Sequence, residues 1–184
     1  MKFRILSRDN IDQYIDYLRF DKLHNIRDLG GMRGVEGKHV MRGKFIRCGH
    51  LAELSDSDKE KLQSLVSLVV DFRSEGERAE KPDIILPGID YRHIPILDSL
   101  TAGITREEEA DRNVFSTLLL KPAEAKEYMC NMYRTFAKSD HAVSGYCSFL
   151  GLLMERHDKA ILWHCTAGKD RRMLSPPKEG ITTS

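Results

Sequence analysis

One segment of the sequence combines residue types that could perform chemistry on a phosphate group, and it reads HCTAGKDR over residues 164–171. Cys165 offers a thiol, and a cysteine becomes a strong nucleophile where neighbouring cations or backbone N–H groups stabilise its thiolate form. Arg171 can bind two phosphate oxygens through parallel hydrogen bonds, because its guanidinium group is planar. The spacing therefore predicts a catalytic loop in which Cys165 attacks phosphorus and forms a phosphocysteine intermediate.

The residues between the cysteine and the arginine are small or flexible enough for the chain to turn tightly. Backbone N–H groups that point into such a turn form a concave site for anions. The predicted phosphate-binding residues are Thr166, Ala167, Gly168, Lys169, Asp170 and Arg171. A nucleotide-binding loop fits less well, because Gly168-Lys169 is followed by Asp170 and not by serine or threonine.

The HCTAGKDR segment resembles the signature loop of the protein tyrosine phosphatase superfamily, in particular that of bacterial tyrosine and lipid phosphatases related to the dual-specificity branch. Residues 25–31 (NIRDLGG) and 71–74 (DFRS), the latter followed by Glu77 and Pro82-Asp83, resemble further segments of that family. The resemblance covers about residues 25–171. It implies a phosphoric monoester hydrolase for phosphotyrosine, with phosphoserine, phosphothreonine or a phosphoinositide as other substrate classes. It also implies that no metal or cofactor is needed.

The sequence leaves the general acid open between three aspartates. By the resemblance, Asp98 follows a strand in the place from which an aspartate often protonates the leaving oxygen. Asp170 is its rival inside the loop, and a general acid must come within hydrogen-bonding distance of the leaving group. Asp71, at the end of a predicted strand, could either serve catalysis or cap the turn. His164, Asp71 and Arg73 are predicted to support the site.

The elements that would position these residues follow from hydrophobic patterns. Continuous apolar runs predict strands at residues 68–70 and 160–163, a further strand is expected at 89–96, and helical spacing predicts helices at 123–138 and 141–157. A helix is also expected after residues 55–58, with Ser57 and Glu60 as its capping box, and an amphipathic helix from Ile11 to Leu18. Together they predict a three-layer α/β domain whose mostly parallel central sheet is flanked by helices. Residues 99–121 could form a lid or a surface helix with a loop.

Composition limits the remaining possibilities. A length of 184 residues fits one domain. The 29 basic and 28 acidic residues are balanced, so no nucleic-acid partner is expected. No apolar run is long enough for an integral membrane segment, and no signal peptide is recognisable. The four cysteines form no C-x-x-C pair and no zinc spacing, which predicts a reduced, cytoplasmic protein without a metal site. The oligomeric state is not indicated.

The sequence departs from the family after the loop. Arg172 replaces a hydroxyl residue, and Pro176-Pro177 prevents the long helix that normally follows. We therefore expect a single phosphatase-like domain over residues 1–184 that lacks the helices expected after residue 171, as a truncated or frameshifted phosphatase would. The alternative to an active enzyme is an impaired phosphate-binding protein or an unstable fragment. A rhodanese-type sulfurtransferase is a more distant alternative, because it does not explain the matches at residues 25–31 and 71–74.

Overall fold

The computed structural model of the chain describes residues 16–34, 37–97, 122–155 and 158–166. These residues form six strands and four helices. The strands are β1 (Asp16–Tyr17), β2 (Arg27–Asp28), β3 (Phe45–Cys48), β4 (Val66–Asp71), β5 (Asp90–His93) and β6 (Ala160–His164). The helices are α1 (Asp56–Leu65), α2 (Glu75–Glu80), α3 (Pro122–Lys138) and α4 (Asp140–Met154). Among these described helices, none combines the length and the apolar character that a bilayer crossing requires.

The six strands form one sheet in the order β1-β2-β3-β6-β4-β5. The last strand in the chain, β6, lies in the middle and pairs in parallel with β3 and with β4. Strand β5 continues the parallel part beyond β4, whereas β1 and β2 are antiparallel additions at the other edge. All five residues of β6 are buried, as expected for a strand that is covered on both faces of a sheet.

Two hydrophobic clusters cover the two faces of the sheet and produce the predicted three layers. Leu162 of β6 faces the first cluster, to which α1 contributes Leu62. Trp163 faces the second cluster, where its ring lies 5.2 Å from the ring of Phe149 of α4 in an edge-to-face arrangement. Helix α3 adds Phe136 to this second cluster. The predicted α/β architecture, with a mostly parallel sheet flanked by helices, is thereby confirmed.

The start of α1 corrects the predicted capping box. The N-cap is Ser55, and its partner is Asp58, not Ser57 with Glu60. The carboxylate of Asp58 also accepts hydrogen bonds of 2.8 Å from the backbone amides of Asp21 and Lys22. These long-range contacts hold Asp58 at the third position of the helix, and the helix therefore begins two residues earlier than expected.

Other boundaries also differ from the sequence prediction. Asp16–Tyr17, inside the predicted N-terminal helix, form strand β1 because they pair with β2; the preceding residues lie outside the described ranges. Helix α4 ends at Met154 and not at residue 157, because Glu155 adopts an extended conformation. The segment at 99–121, predicted as a lid or a surface helix, lies outside the described residues as well.

Candidate functional site

Cys165 lies directly after β6, at the carboxyl edge of the parallel strands. This edge is where open α/β sheets place their ligand sites. The side chain is almost fully buried and packs with the second hydrophobic cluster. The carbonyl of the next residue, Thr166, accepts a 3.3 Å hydrogen bond from the backbone N–H of His50, and its hydroxyl donates to Oε1 of Glu77. The candidate nucleophile therefore sits between two strand ends, in a chain segment that is held on both sides.

The described residues include only part of the predicted site. His164, Cys165, Thr166, Asp71 and Arg73 are brought to the same edge of the sheet, because His164 and Asp71 are direct partners in the β4–β6 register. The remaining predicted residues lie outside the described ranges, and their roles stay predictions: Asp98, Ala167, Gly168, Lys169, Asp170 and Arg171.

Asp71 and Arg73 form a buried ion pair just beyond the end of β4. Nε of Arg73 donates to both carboxylate oxygens of Asp71, at 3.0 and 3.1 Å, and Nη2 donates to Oδ2 at 2.8 Å. The backbone N–H of Arg73 also donates to Asp71, and its Nη1 donates to the carbonyl of Lys81 at 2.7 Å. Burial lowers the pKa of Arg73, but the contacts with Asp71 and Asp83 outweigh burial and raise it. The donors of Arg73 are thus engaged with Asp71, Asp83 and the carbonyl of Lys81, and its role in supporting the site stays a prediction.

Asp83 connects the Asp71–Arg73 ion pair to His164, the residue that precedes Cys165. Its Oδ2 lies 2.7 Å from Nη2 of Arg73 and 3.0 Å from Nε2 of His164. Nε2 of the buried His164 therefore makes a close polar contact with this carboxylate. Burial raises the pKa of Asp83, but the contact with His164 and the charge interactions with His164 and Arg73 lower it below its usual value. Asp83 is therefore a carboxylate in the folded protein at neutral pH.

Asp71, Asp83 and His164 have donor atoms within 4.8 Å of one another, a spacing that would suit a metal ion. However, the guanidinium group of Arg73 already bridges the two carboxylates. A metal cation would face this buried positive charge at short range. The cluster therefore fits a charge-balanced network better than a metal site.

A cleft of about 260 Å³ opens beside this network, along the edge strand β5. Arg78, Arg92 and His93 line it together with the two buried carboxylates. His93 donates from Nε2 to the carbonyl of Arg73 at 2.7 Å, and its Nδ1 accepts from Arg78 at 3.0 Å. Nε of Arg78 lies 3.5 Å from Oδ2 of Asp71. The half-exposed Arg78 thus places positive charge beside the candidate site.

Cys48 is the other buried thiol near the site, since it pairs with His164 across the β3–β6 ladder. Burial, followed by the negative charge of Asp83, raises the pKa of Cys48 well above its usual value. A thiol held neutral in this way is a poor nucleophile. Cys48 is therefore a core residue, and Cys165 remains the candidate nucleophile.

Three contributors to the site were not identified as site residues from the sequence: Asp83, His50 and Arg78. Asp83 was noted only as part of the resemblance, and its contact with His164 joins segments that are far apart in the chain. His50 has a lowered pKa, mainly because of burial and then because of Lys81 and Arg73. No local pattern marks His50. Arg78 lies in α2, one turn after the N-cap residue Ser74. The Ser74–Glu77 capping box was the sequence signal that could have predicted this helix beside the site.

Comparison with known proteins identifies the family to which this chain belongs. The chain is 34% identical over 156 residues to a protein of Cupriavidus necator named "putative tyrosine-protein phosphatase", an alignment that covers 84% of this chain and 53% of that protein. It is 28% identical over 130 residues to a tyrosine-protein phosphatase of Nostoc commune, covering 69% of this chain and 39% of that protein. The chain thus spans about half or less of the length of these relatives. Because the model of the tyrosine phosphatase family matches residues 18–172, the chain belongs to that family.

Proposed function

We propose that this chain hydrolyses phosphate monoesters, with protein phosphotyrosine as the first substrate class and Cys165 as the nucleophile. The observation that carries the proposal is the position of Cys165 at the carboxyl end of the central strand, between His164 and Thr166. His164 contacts a buried carboxylate, and Thr166 is held by His50 and Glu77. Membership of the tyrosine phosphatase family supports the same chemistry.

In the proposed reaction, the thiolate of Cys165 attacks phosphorus and the bond from phosphorus to the tyrosine oxygen breaks. Asp98 or Asp170 donates a proton to that oxygen, and water then hydrolyses the phosphocysteine to release phosphate. Arg171 and the amides of residues 166–171 would bind the remaining phosphate oxygens and stabilise their charge in the transition state. Lys169 would add positive charge. This scheme uses no metal and no cofactor.

The partner in this proposal is a phosphorylated protein, and phosphoserine, phosphothreonine or a phosphoinositide remain the other substrate classes. The balanced charge of the chain gives no reason to expect a nucleic-acid partner. All four cysteines are free thiols, as is usual in a reducing compartment. On that ground we place the proposed reaction in the cytoplasm.

The proposal is tested by assaying the 184-residue chain with an aryl phosphate at mildly acidic pH. Cys165→Ser should abolish turnover, because a hydroxyl is a far weaker nucleophile than a thiolate at this pH. Cys147→Ser is the matched control, since Cys147 is an exposed cysteine on α4, and it should retain the activity of the unmodified chain. Turnover by Cys165→Ser would refute the mechanism.

A second measurement separates catalysis from simple binding. A folded site should raise the melting temperature of the unmodified chain in the presence of vanadate or phosphate. A shift in melting temperature without turnover of any of the four substrate classes would replace the proposed enzyme by a phosphate-binding protein. The substrate classes themselves are compared with peptides that carry phosphotyrosine, phosphoserine or phosphothreonine and with phosphoinositide vesicles.

A further inference from the structure

The carboxylate of Asp83 connects three chain segments that meet at the candidate site. Its Oδ1 accepts a 2.7 Å hydrogen bond from the backbone N–H of Leu51. Its Oδ2 contacts Nη2 of Arg73 at 2.7 Å and Nε2 of His164 at 3.0 Å. The side chain of Asp83 is only 6% exposed, so these contacts are shielded from water and from salt.

The contact of Asp83 with His164 acts on the residue before the nucleophile. The backbone carbonyl of His164 accepts from the N–H of Phe72 at 3.0 Å, which fixes the end of β6. The strand ends at this residue, and Cys165 is the first residue outside it. The buried imidazole of this last residue of β6 faces Asp83, so a change at Asp83 would act directly on the residue that delivers Cys165.

The contact of Asp83 with Leu51 acts on the residue after the nucleophile. The N–H of Leu51 donates to Asp83, and the preceding N–H, of His50, donates to the carbonyl of Thr166 at 3.3 Å. Asp83 therefore fixes the segment that in turn holds Thr166. The two neighbours of Cys165 are thus both held through one carboxylate, from opposite sides.

This arrangement is costly if its only purpose is stability. Several kcal/mol of desolvation are needed for each ion that is buried, and well-packed apolar residues often serve a core equally well. Here two carboxylates, a guanidinium group and an imidazole are buried together beside a candidate nucleophile. A charged network at this place fits a role in orientation better than a role in stability.

We propose that Asp83 is a positioning residue for the reaction of Cys165, acting through His164 and through the segment of His50 and Leu51. This inference rests on the proposed phosphatase function. Asp83 does not touch the reacting atoms in this scheme; its carboxylate holds the two residues that flank Cys165, which are His164 and Thr166, in place for anion binding.

The experiment compares Asp83→Asn with Asp90→Asn in the 184-residue chain. Asparagine keeps the shape of the side chain but removes the charge that faces Arg73 and His164, whereas Asp90 is an exposed carboxylate at the start of β5. With an aryl phosphate, Asp83→Asn should lower kcat by about 100-fold, the scale of a small misplacement of reacting groups, with a smaller change in KM. Asp90→Asn should leave both constants unchanged.

A second readout does not require turnover. Iodoacetamide is expected to alkylate Cys165, and phosphate in the loop should slow this alkylation, as followed by peptide mass mapping. In Asp83→Asn, the phosphate concentration that halves the alkylation rate should rise about tenfold, equal to a loss of about 1.4 kcal/mol of binding free energy. It should not change in Asp90→Asn. Absence of turnover in every variant, together with this loss of protection, would reject the proposed enzyme while supporting the positioning role.

A double-mutant cycle tests whether Asp83 acts through His164. Combining Asp83→Asn with His164→Asn should weaken phosphate protection little more than the stronger single change, because both remove one coupled contact. If Asp83→Asn melts below the assay temperature, Asp83→Glu carries the same readouts, since it keeps the charge and displaces the carboxylate. Protection within twofold of the unmodified chain in a folded Asp83 variant, or fully additive effects in the cycle, would overturn the inference.

Discussion

Replacement of Arg73 by methionine tests how the buried carboxylates of Asp71 and Asp83 depend on the guanidinium group between them. The guanidinium group donates to both oxygens of Asp71, and its Nη2 lies 2.7 Å from Oδ2 of Asp83; all three side chains are nearly inaccessible to water. Methionine fills a similar volume but leaves two buried carboxylates facing each other. Removing one partner from a buried ion pair costs about 3–5 kcal/mol because a charge is left uncompensated. This is a large fraction of the roughly 5–15 kcal/mol that stabilises a typical native protein.

The loss should depend on pH with a defined sign. The pKa of Asp83 is lowered in the folded protein, so its carboxylate contributes stability above the unfolded pKa of about 3.9. That contribution is lost as the pH falls through the folded pKa. In Arg73→Met the carboxylate of Asp83 loses the positive charge that helps to lower its pKa, so it should bind a proton more readily than in the unmodified chain. The difference in unfolding free energy should therefore be largest near neutral pH and become smaller in acid.

Urea unfolding followed by circular dichroism at two pH values, pH ~7 and ~4.5, measures this difference. In a thermal scan the expected loss corresponds to roughly 6–20 °C, at about 2–4 °C per kcal/mol for a chain of this size. Arg92→Met is the matched control, since Arg92 is an exposed arginine on β5 beside the same cleft, and it should change stability by less than about 0.5 kcal/mol. A loss below about 1 kcal/mol in Arg73→Met, or one that does not diminish in acid, would refute the reasoning.

Two further predictions concern a tight turn and the open choice of general acid. Gly30→Ala would place a Cβ atom 2.3 Å from the Cα of Arg42 and should destabilise the fold by about 1–3 kcal/mol. Gly151→Ala, in α4 with nothing within 4 Å of the added atom, should be neutral or stabilising by up to ~1 kcal/mol; equal urea midpoints for the two variants would contradict the argument. Of Asp98→Asn and Asp170→Asn, the variant that removes the acid should lose about 10²–10⁴-fold in turnover of a poor leaving group such as phenyl phosphate. It should lose much less with nitrophenyl phosphate, and the same loss with both leaving groups would exclude that residue as the acid.

Local sequence patterns predicted the strands and helices correctly where the hydrophobic pattern alone determines the element. The apolar run before His164 predicted a buried strand, and β6 is that strand. The helical spacing of apolar residues predicted α3 and α4. Because parallel strands place their carboxyl ends at one edge of a sheet, the approach of Asp71 to His164 was also foreseeable.

Local patterns failed at the start of α1. Ser55 with Asp58 and Ser57 with Glu60 both have the spacing of a capping box, and the preference for Glu or Gln at its last position favours the second pair. The amides of Asp21 and Lys22, which are distant in sequence, select the first by donating to Asp58. In the same way, strand pairing with β2 decided that Asp16–Tyr17 are extended.

The sequence by itself determined which chemical groups are available: a thiol after a buried strand, a lysine and an arginine within the next six residues, and several acidic residues. Tertiary structure alone decided which of the charged groups are neutralised. Arg73 could have faced a bound phosphate, but it is buried between Asp71 and Asp83. The physical reason is that a buried charge needs a counter-charge at short range. Asp83 supplies part of that counter-charge to Arg73 and also contacts His164, yet it comes from a segment that no local periodicity links to Arg73 or to His164.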